Sequence, residues 1–377
     1  MIAWEKLQTT ARWAPSYFWQ RFARPIPSHK PLHLILGLAD HFEPAFNVEN
    51  PQLYAPRDVG MRRLENWIGR YPMAVDSVRD SDGFPLRHTY FFPAEQYDPE
   101  QIEMLAHLCH QGWGEVEIHL HHGVRSPDTS ENTRRVLVDF RDALVRYGCL
   151  SRLQGSSQPR YAFVHGNWTL ANSGKGCCGV DDEMQILAET GCYADLTLPA
   201  APSPAQTAKI NSVYECALPL SRRAPHRRGY DLKVGRKPKT FPLIIQGPLG
   251  LVYRRKANGR RGFTIENSEL ACLTPPSMER MKFWIRTGVQ IQGRPDWIFI
   301  KLHCHGMDPR DQETLLGQTL RRFLEDLKDA AQTGGMKIHF VTAREMANIA
   351  LAACDGRDGD PGKLRDYLLT LTKPAKQ

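Results

Sequence analysis

Residues 116–122 read V-E-I-H-L-H-H. Val116, Ile118 and Leu120 alternate with Glu117, His119 and His121, so the period of two predicts a strand with one apolar and one polar face. His119 and His121 share the polar face, and His122 opens the following loop. Other apolar runs end in the same manner. Residues 32–41 read L-H-L-I-L-G-L-A-D-H, residues 161–168 read Y-A-F-V-H-G-N-W, and residues 297–306 read W-I-F-I-K-L-H-C-H-G. Parallel strands that deliver such tips to one face are the arrangement of an α/β barrel enzyme.

Between these runs the pattern turns helical. Asp98-Pro99 announces a helix over 100–111 that Gly112 stops, and Gly148 and Gly191 close helices over 131–147 and 181–190. Helices are also predicted over 278–287, 312–331 and 343–353, and strands over 193–198 and 337–341. Repeated strand-then-helix units predict a parallel sheet covered by helices. About seven or eight strands suit a closed or nearly closed barrel. We place the barrel at 31–355, with an insertion at about 200–275 that breaks the rhythm. Asn258-Gly259 marks a β-hairpin inside that insertion. Residues 1–30 form an aromatic and basic arm, and 356–377 a C-terminal tail.

The composition bounds the function. The chain has 377 residues, 41% hydrophobic and 24% charged, the balance of a globular protein with a large core. No apolar run reaches the ~18–20 residues of a membrane span, and the N-terminus lacks a signal-peptide core. Nine cysteines without a CxxC spacing argue against a disulfide framework or a zinc finger. A cytoplasmic location is expected. A membrane-peripheral one is the alternative if the arm, with Trp4, Trp13, Tyr17, Phe18, Trp19 and Phe22, lies on a lipid surface rather than on its own domain. Residues 221–261 hold thirteen Lys/Arg and one acid, so this segment carries +12 of a chain total of +8 and the remainder carries −4. The segment reads either as a solvated loop or as an attractor for an anionic partner. No nucleic-acid motif accompanies it, and none is expected as a partner.

The strand tips carry the chemistry. Histidine and carboxylate together suit a borderline divalent ion such as zinc. His119, His121 and His122 are candidate ligands beside Asp40, while Asp40 or Glu43 can take a proton from a bound water. His303 or His305 suits a general acid, with Asp195 to orient its imidazole. His165, Asn167, Trp168 and Tyr193 are candidate contacts to a substrate, Trp168 by stacking on a sugar face.

The stretches D-H-F-E-P, E-I-H-L-H-H, F-V-H-G-N-W, G-C-Y-A-D-L-T-L-P and K-L-H-C-H-G resemble the polysaccharide deacetylase superfamily, the NodB-like or carbohydrate-esterase-4-like group. They are most similar to its divergent WalW-like branch, linked to lipopolysaccharide or exopolysaccharide biosynthesis. The resemblance runs over about 32–353 and implies a distorted (β/α)7 barrel. It implies metal-dependent removal of an acyl group from a sugar, with an Asp and two His on the metal, an Asp as base and a late-strand His as acid. The family's first motif has two adjacent Asp. Here Ala39 precedes Asp40, so if Asp40 is the base, His41 or Glu43 must supply the ligand. The family's histidine pair is spaced by four, but His121 plus four is Arg125, so the pair must come from His119, His121 and His122. His165-Gly166-Asn167 stands where the third motif has an arginine. The expected substrate is an acylated or phosphorylated glycan. The rival readings are a catalytically weak glycan-binding barrel and a dinuclear phosphoesterase or amidohydrolase.

Overall fold

The computed structural model describes residues 3–24, 31–50, 53–174, 176, 178–255 and 259–371. Its strands are β1 (Leu32–His41), β2 (His88–Pro93), β3 (Gly114–Leu120), β4 (Ser151–Leu153), β5 (Pro159–His165), β6 (Cys192–Asp195), β7 (Val213–Cys216), β8 (Gly229–Asp231), β9 (Leu243–Ile245), β10 (Gly250–Arg255), β11 (Arg261–Glu266), β12 (Glu269–Leu270), β13 (Trp297–Cys304), β14 (Met336–Val341) and β15 (Leu369–Leu371). The helices are α1 (Ala3–Ala23), α2 (Arg57–Val75), α3 (Pro99–Leu108), α4 (Ser130–Arg146), α5 (Glu183–Thr190), α6 (Met278–Thr287), α7 (Gln312–Leu316), α8 (Gln318–Gly334) and α9 (Ala343–Cys354).

The main sheet runs β12-β13-β1-β2-β3-β5-β6-β9-β7-β8 and is parallel from β12 to β9. β14 pairs with the first half of β1 and β2 with its second half, so both share one edge. The expected α/β order is thus present, but among the described residues the hydrogen-bonded ladder does not close into a ring. Gly247, just beyond β9, lies close to β13: a Cβ there would be 2.3 Å from the Lys301 carbonyl oxygen.

β1 is buried along its whole length, and its alternate residues face two different cores. Leu32, Leu34, Leu36 and Leu38 join the larger core with Leu64, Trp67 and Leu324 of the outer helices. Ile35 and Ala39 face a second core with Phe91, Val164, Phe299 and α9. All of α9 is buried, against β1, β5, β6 and β14. Its polar residues are paired: Arg344 bonds Glu115 of β3 at 2.8 Å, and Glu345 bonds Arg365 at 3.1 Å.

Several local expectations change. The helix expected over 312–331 is two helices, because Gly317 takes an extended backbone between α7 and α8, where a Cβ would strike Glu313. Residues 200–249 are no excursion, since β7, β8 and β9 extend the main sheet; only β10 and β11 form the separate hairpin. Asn258 of the expected turn lies outside the described residues. Residues 356–371 are not a loose tail: β15 pairs with β4, and buried Arg365 bonds Asp80 and Asp82. α2 and β2 were not anticipated.

Candidate metal centre

The odd positions of β3 build the site in layers. Glu115 meets Arg344 of α9, Glu117 accepts from the Tyr193 hydroxyl and the Ala162 amide, and His119 reaches the strand end. His119 Nδ1 lies 2.7 Å from the Val164 carbonyl oxygen, which fixes it as the donor there and turns Nε2 toward the site. That Nε2 is buried, has no hydrogen-bond partner and sits 3.4 Å from Glu43 Oε1. His41, from the end of β1, brings its ring centroid to 5.0 Å from that of His119. One ligand atom each of His41, Glu43 and His119 lies within 4.8 Å of the others.

The electrostatics set a neutral imidazole beside a carboxylate that His121 already balances. Burial, and then the neighbouring His305, His119 and His303, drive the His41 pKa well below its usual value, so it is neutral, the form that binds metal. Burial would raise Glu43, but His121 and His119 hold it down to about 2, as a carboxylate. Burial would lower His121, but Glu43 and Glu95 raise it to about 9. Its Nδ1 is 2.7 Å from Glu95 Oε1 and its Nε2 is 3.9 Å from Glu43. Two imidazole nitrogens and one carboxylate oxygen fit a zinc-like ion with a position left open.

The site floors a cleft of ≈ 680 Å³ whose lining includes Phe46, Tyr54, Glu95, Asn167, Trp168 and His305. Trp168 lies 5.9 Å from the His41 ring and 6.2 Å from the His305 ring. His303 is buried beneath, 6.3 Å from His41, with Nδ1 unpartnered and its pKa driven well below the usual value, first by burial and then by Lys301.

The other expected residues go elsewhere. Asp40 faces the opposite side of the sheet from His41. It accepts from the Gly306 amide at 2.7 Å and pairs with His88 Nδ1 at 2.9 Å, so it does not meet His119. Gly306 has to be glycine here, since a Cβ would lie 2.4 Å from Asp40. Asp195 bonds Thr197, not an imidazole, and burial raises its pKa to about 7; buried Lys301, lowered to about 7, is its nearby cation. Tyr193 spends its hydroxyl on Glu117 and is buried, so it is not a sugar contact. His122 and His165 turn to Glu183 instead of to His119. None of the described basic residues at 221–261 lines the cleft. Sequence reading passed over Glu95, which follows the unanticipated β2, and His88 and Glu183, which carry no local signature. The chain matches no protein-family model and no curated protein.

Proposed function

We propose that the chain is a metal-dependent hydrolase that removes an acyl group from a glycan, working in a distorted, incompletely hydrogen-bonded (β/α) barrel of the deacetylase type. The observation that carries this reading is the convergence of His41, Glu43 and His119 at the floor of the cleft. These residues would hold a zinc-like divalent ion. When bound, such an ion supplies Lewis-acid polarisation of a carbonyl and a water acidified toward pKa ~7. Around it, Trp168 and Tyr54 offer aromatic faces for a sugar ring, and the cleft volume suits a small oligosaccharide. His121, paired with Glu95, and His305 at the rim are the groups able to pass a proton to a leaving amine. Buried, neutral His303 is not.

One observation favours a second reading, glycan binding without turnover. Asp40 is turned out of the cleft, Glu43 is needed as ligand and Glu95 is committed to His121, so no free carboxylate remains there as a base. The test is acetate release from N-acetylated oligosaccharides by zinc-loaded protein, wild type beside His119→Ala. Release that depends on His119 supports the hydrolase. Bound zinc and bound oligosaccharide with no release supports the second reading.

A further inference from the structure

A second convergence of ligand atoms lies between the sheet and α5, and one of its members, His122, also lines the cleft. His122 follows β3, His165 ends β5 on the side of the outer helices, and Glu183 opens α5. His122 Nε2 is 3.0 Å from Glu183 Oε1, His165 Nε2 is 3.4 Å from the same oxygen, and the two imidazole nitrogens are 3.2 Å apart. All three residues are buried. An ion with tetrahedral bonds of ~2.0–2.1 Å spaces its ligands by about 3.3–3.4 Å, close to these three edges.

The outer contacts leave one lone pair on each group for the centre. His165 Nδ1 donates to the Gly166 carbonyl, so its Nε2 is bare. His122 Nδ1 bonds Asp128 at 2.9 Å. Glu183 accepts from the Ala171 amide on its other oxygen. Histidines that bind metal are oriented in this way, through a carboxylate or carbonyl on the second nitrogen. Without an ion, one proton on His122 Nε2 must serve both Glu183 and His165. His226 is likewise fully buried with both ring nitrogens unpartnered, but it lies outside this group of ligand atoms.

We propose that His122, His165 and Glu183 hold a structural divalent ion of the zinc class, distinct from the cleft site. This ion fixes the loop that follows β5. That loop needs fixing: Asn167, Trp168, Ala171 and Asn172 all have positive φ, a region sparsely populated by residues with a side chain. It presents Asn167 and Trp168 to the cleft. The two clusters share no residue. Binding displaces the single His122 Nε2 proton to solvent, and Nδ1 keeps its bond to Asp128. The inference does not rest on the hydrolase reading.

The full chain is stripped of metal and titrated with zinc chloride, and bound zinc is counted by elemental analysis. Wild type should hold two ions per chain, His119→Ala one and Glu183→Gln one. The ion retained by His119→Ala should leave more slowly into a chelator, because it is buried. If wild type holds one ion, kept by His119→Ala and lost by Glu183→Gln, the buried site stands and the cleft reading fails. Equal zinc in wild type and Glu183→Gln, or none in wild type, overturns the buried site. Should Glu183→Gln fail to fold, His165→Cys loaded with cobalt(II) decides. A thiolate-to-cobalt charge-transfer band, absent from cobalt-loaded wild type, supports ligation, and bound cobalt without that band overturns it. Limited proteolysis gives an independent readout: zinc should protect the 166–174 stretch of His119→Ala but not of Glu183→Gln.

Discussion

Asp40 and His41 are neighbours in the chain and face opposite sides of the sheet. On a half-exposed strand, alternation would have said which one points inward. β1 is apolar and buried on both faces, so its period of two is invisible in the sequence and the choice between the pair could not be read there. The polar alternation of β3 did place His119 and His121 together, and their rings are 4.5 Å apart. The structure therefore separates two substitutions that the sequence alone would equate. Asp40→Asn should leave zinc content unchanged and lower stability by about 1–3 kcal/mol, by weakening a buried charged hydrogen-bond acceptor. His119→Ala should lose the cleft ion. Elemental analysis and urea denaturation check both, and loss of zinc in Asp40→Asn would return Asp40 to the ligand set. A pH effect belongs to this scale as well. At the other end of β1, burial and then His339 lower the His33 pKa to about 4. Unfolded histidine titrates near 6.5. Between those values the unfolded chain binds a proton that native His33 refuses, so its contribution is present above about pH 6.5 and falls as pH drops toward 4. The urea midpoint of wild type should drop over that window more than that of His33→Gln, and parallel curves would refute the assignment.

At the scale of elements, the helices with capping residues were the legible ones. Asp98 caps α3, Thr129 caps α4 and Ser277 caps α6, each by accepting a backbone amide. α2 and β2 were missed, and with β2 went Glu95, the partner that holds His121. α9 was expected as a helix, but not as one enclosed on every side. Its buried Arg344, Glu345 and Asn348 bond Glu115, Arg365 and the backbone around Leu369. The contact between Arg344 and Glu115 sits two layers beneath His119 on the same strand. Arg344→Met should cost about 3–5 kcal/mol, because it strands Glu115 as a buried charge without its partner. Adding Glu115→Gln should recover part of that loss. A double variant no more stable than the single one, in chemical denaturation, would show that Glu115 is compensated elsewhere.

For the whole molecule, the charge asymmetry and the exposed aromatics pose one question that composition raised but could not place. Among the described residues no helix is long and apolar enough to cross a membrane. α1 instead packs one face inward through Trp13 and Tyr17, with the Tyr17 hydroxyl donating to the Leu251 carbonyl of β10. Its other face leaves Trp19 72% and Phe22 86% exposed, and the hairpin it touches leaves Tyr253 60% and Phe263 65% exposed. Large aromatics beside a segment of +12 are the composition of a surface that inserts shallowly at an anionic lipid headgroup layer. The described basic residues of that segment do not line the cleft, so their attraction would act on a surface rather than on a sugar bound there. The energy should divide accordingly. Cationic attraction is screened within a Debye length of about 10 Å at 0.1 M salt, whereas burial of aromatic rings is not. Wild type should co-sediment with phosphatidylglycerol vesicles and not with phosphatidylcholine ones, and should weaken about tenfold or more as salt rises from low to physiological strength. Trp19→Ser with Phe22→Ser should weaken binding at every salt concentration without changing its salt slope, because the charges remain. Equal binding to neutral vesicles, or a slope that moves with the aromatics, would remove electrostatics from the account and leave the +12 segment as a solvated surface.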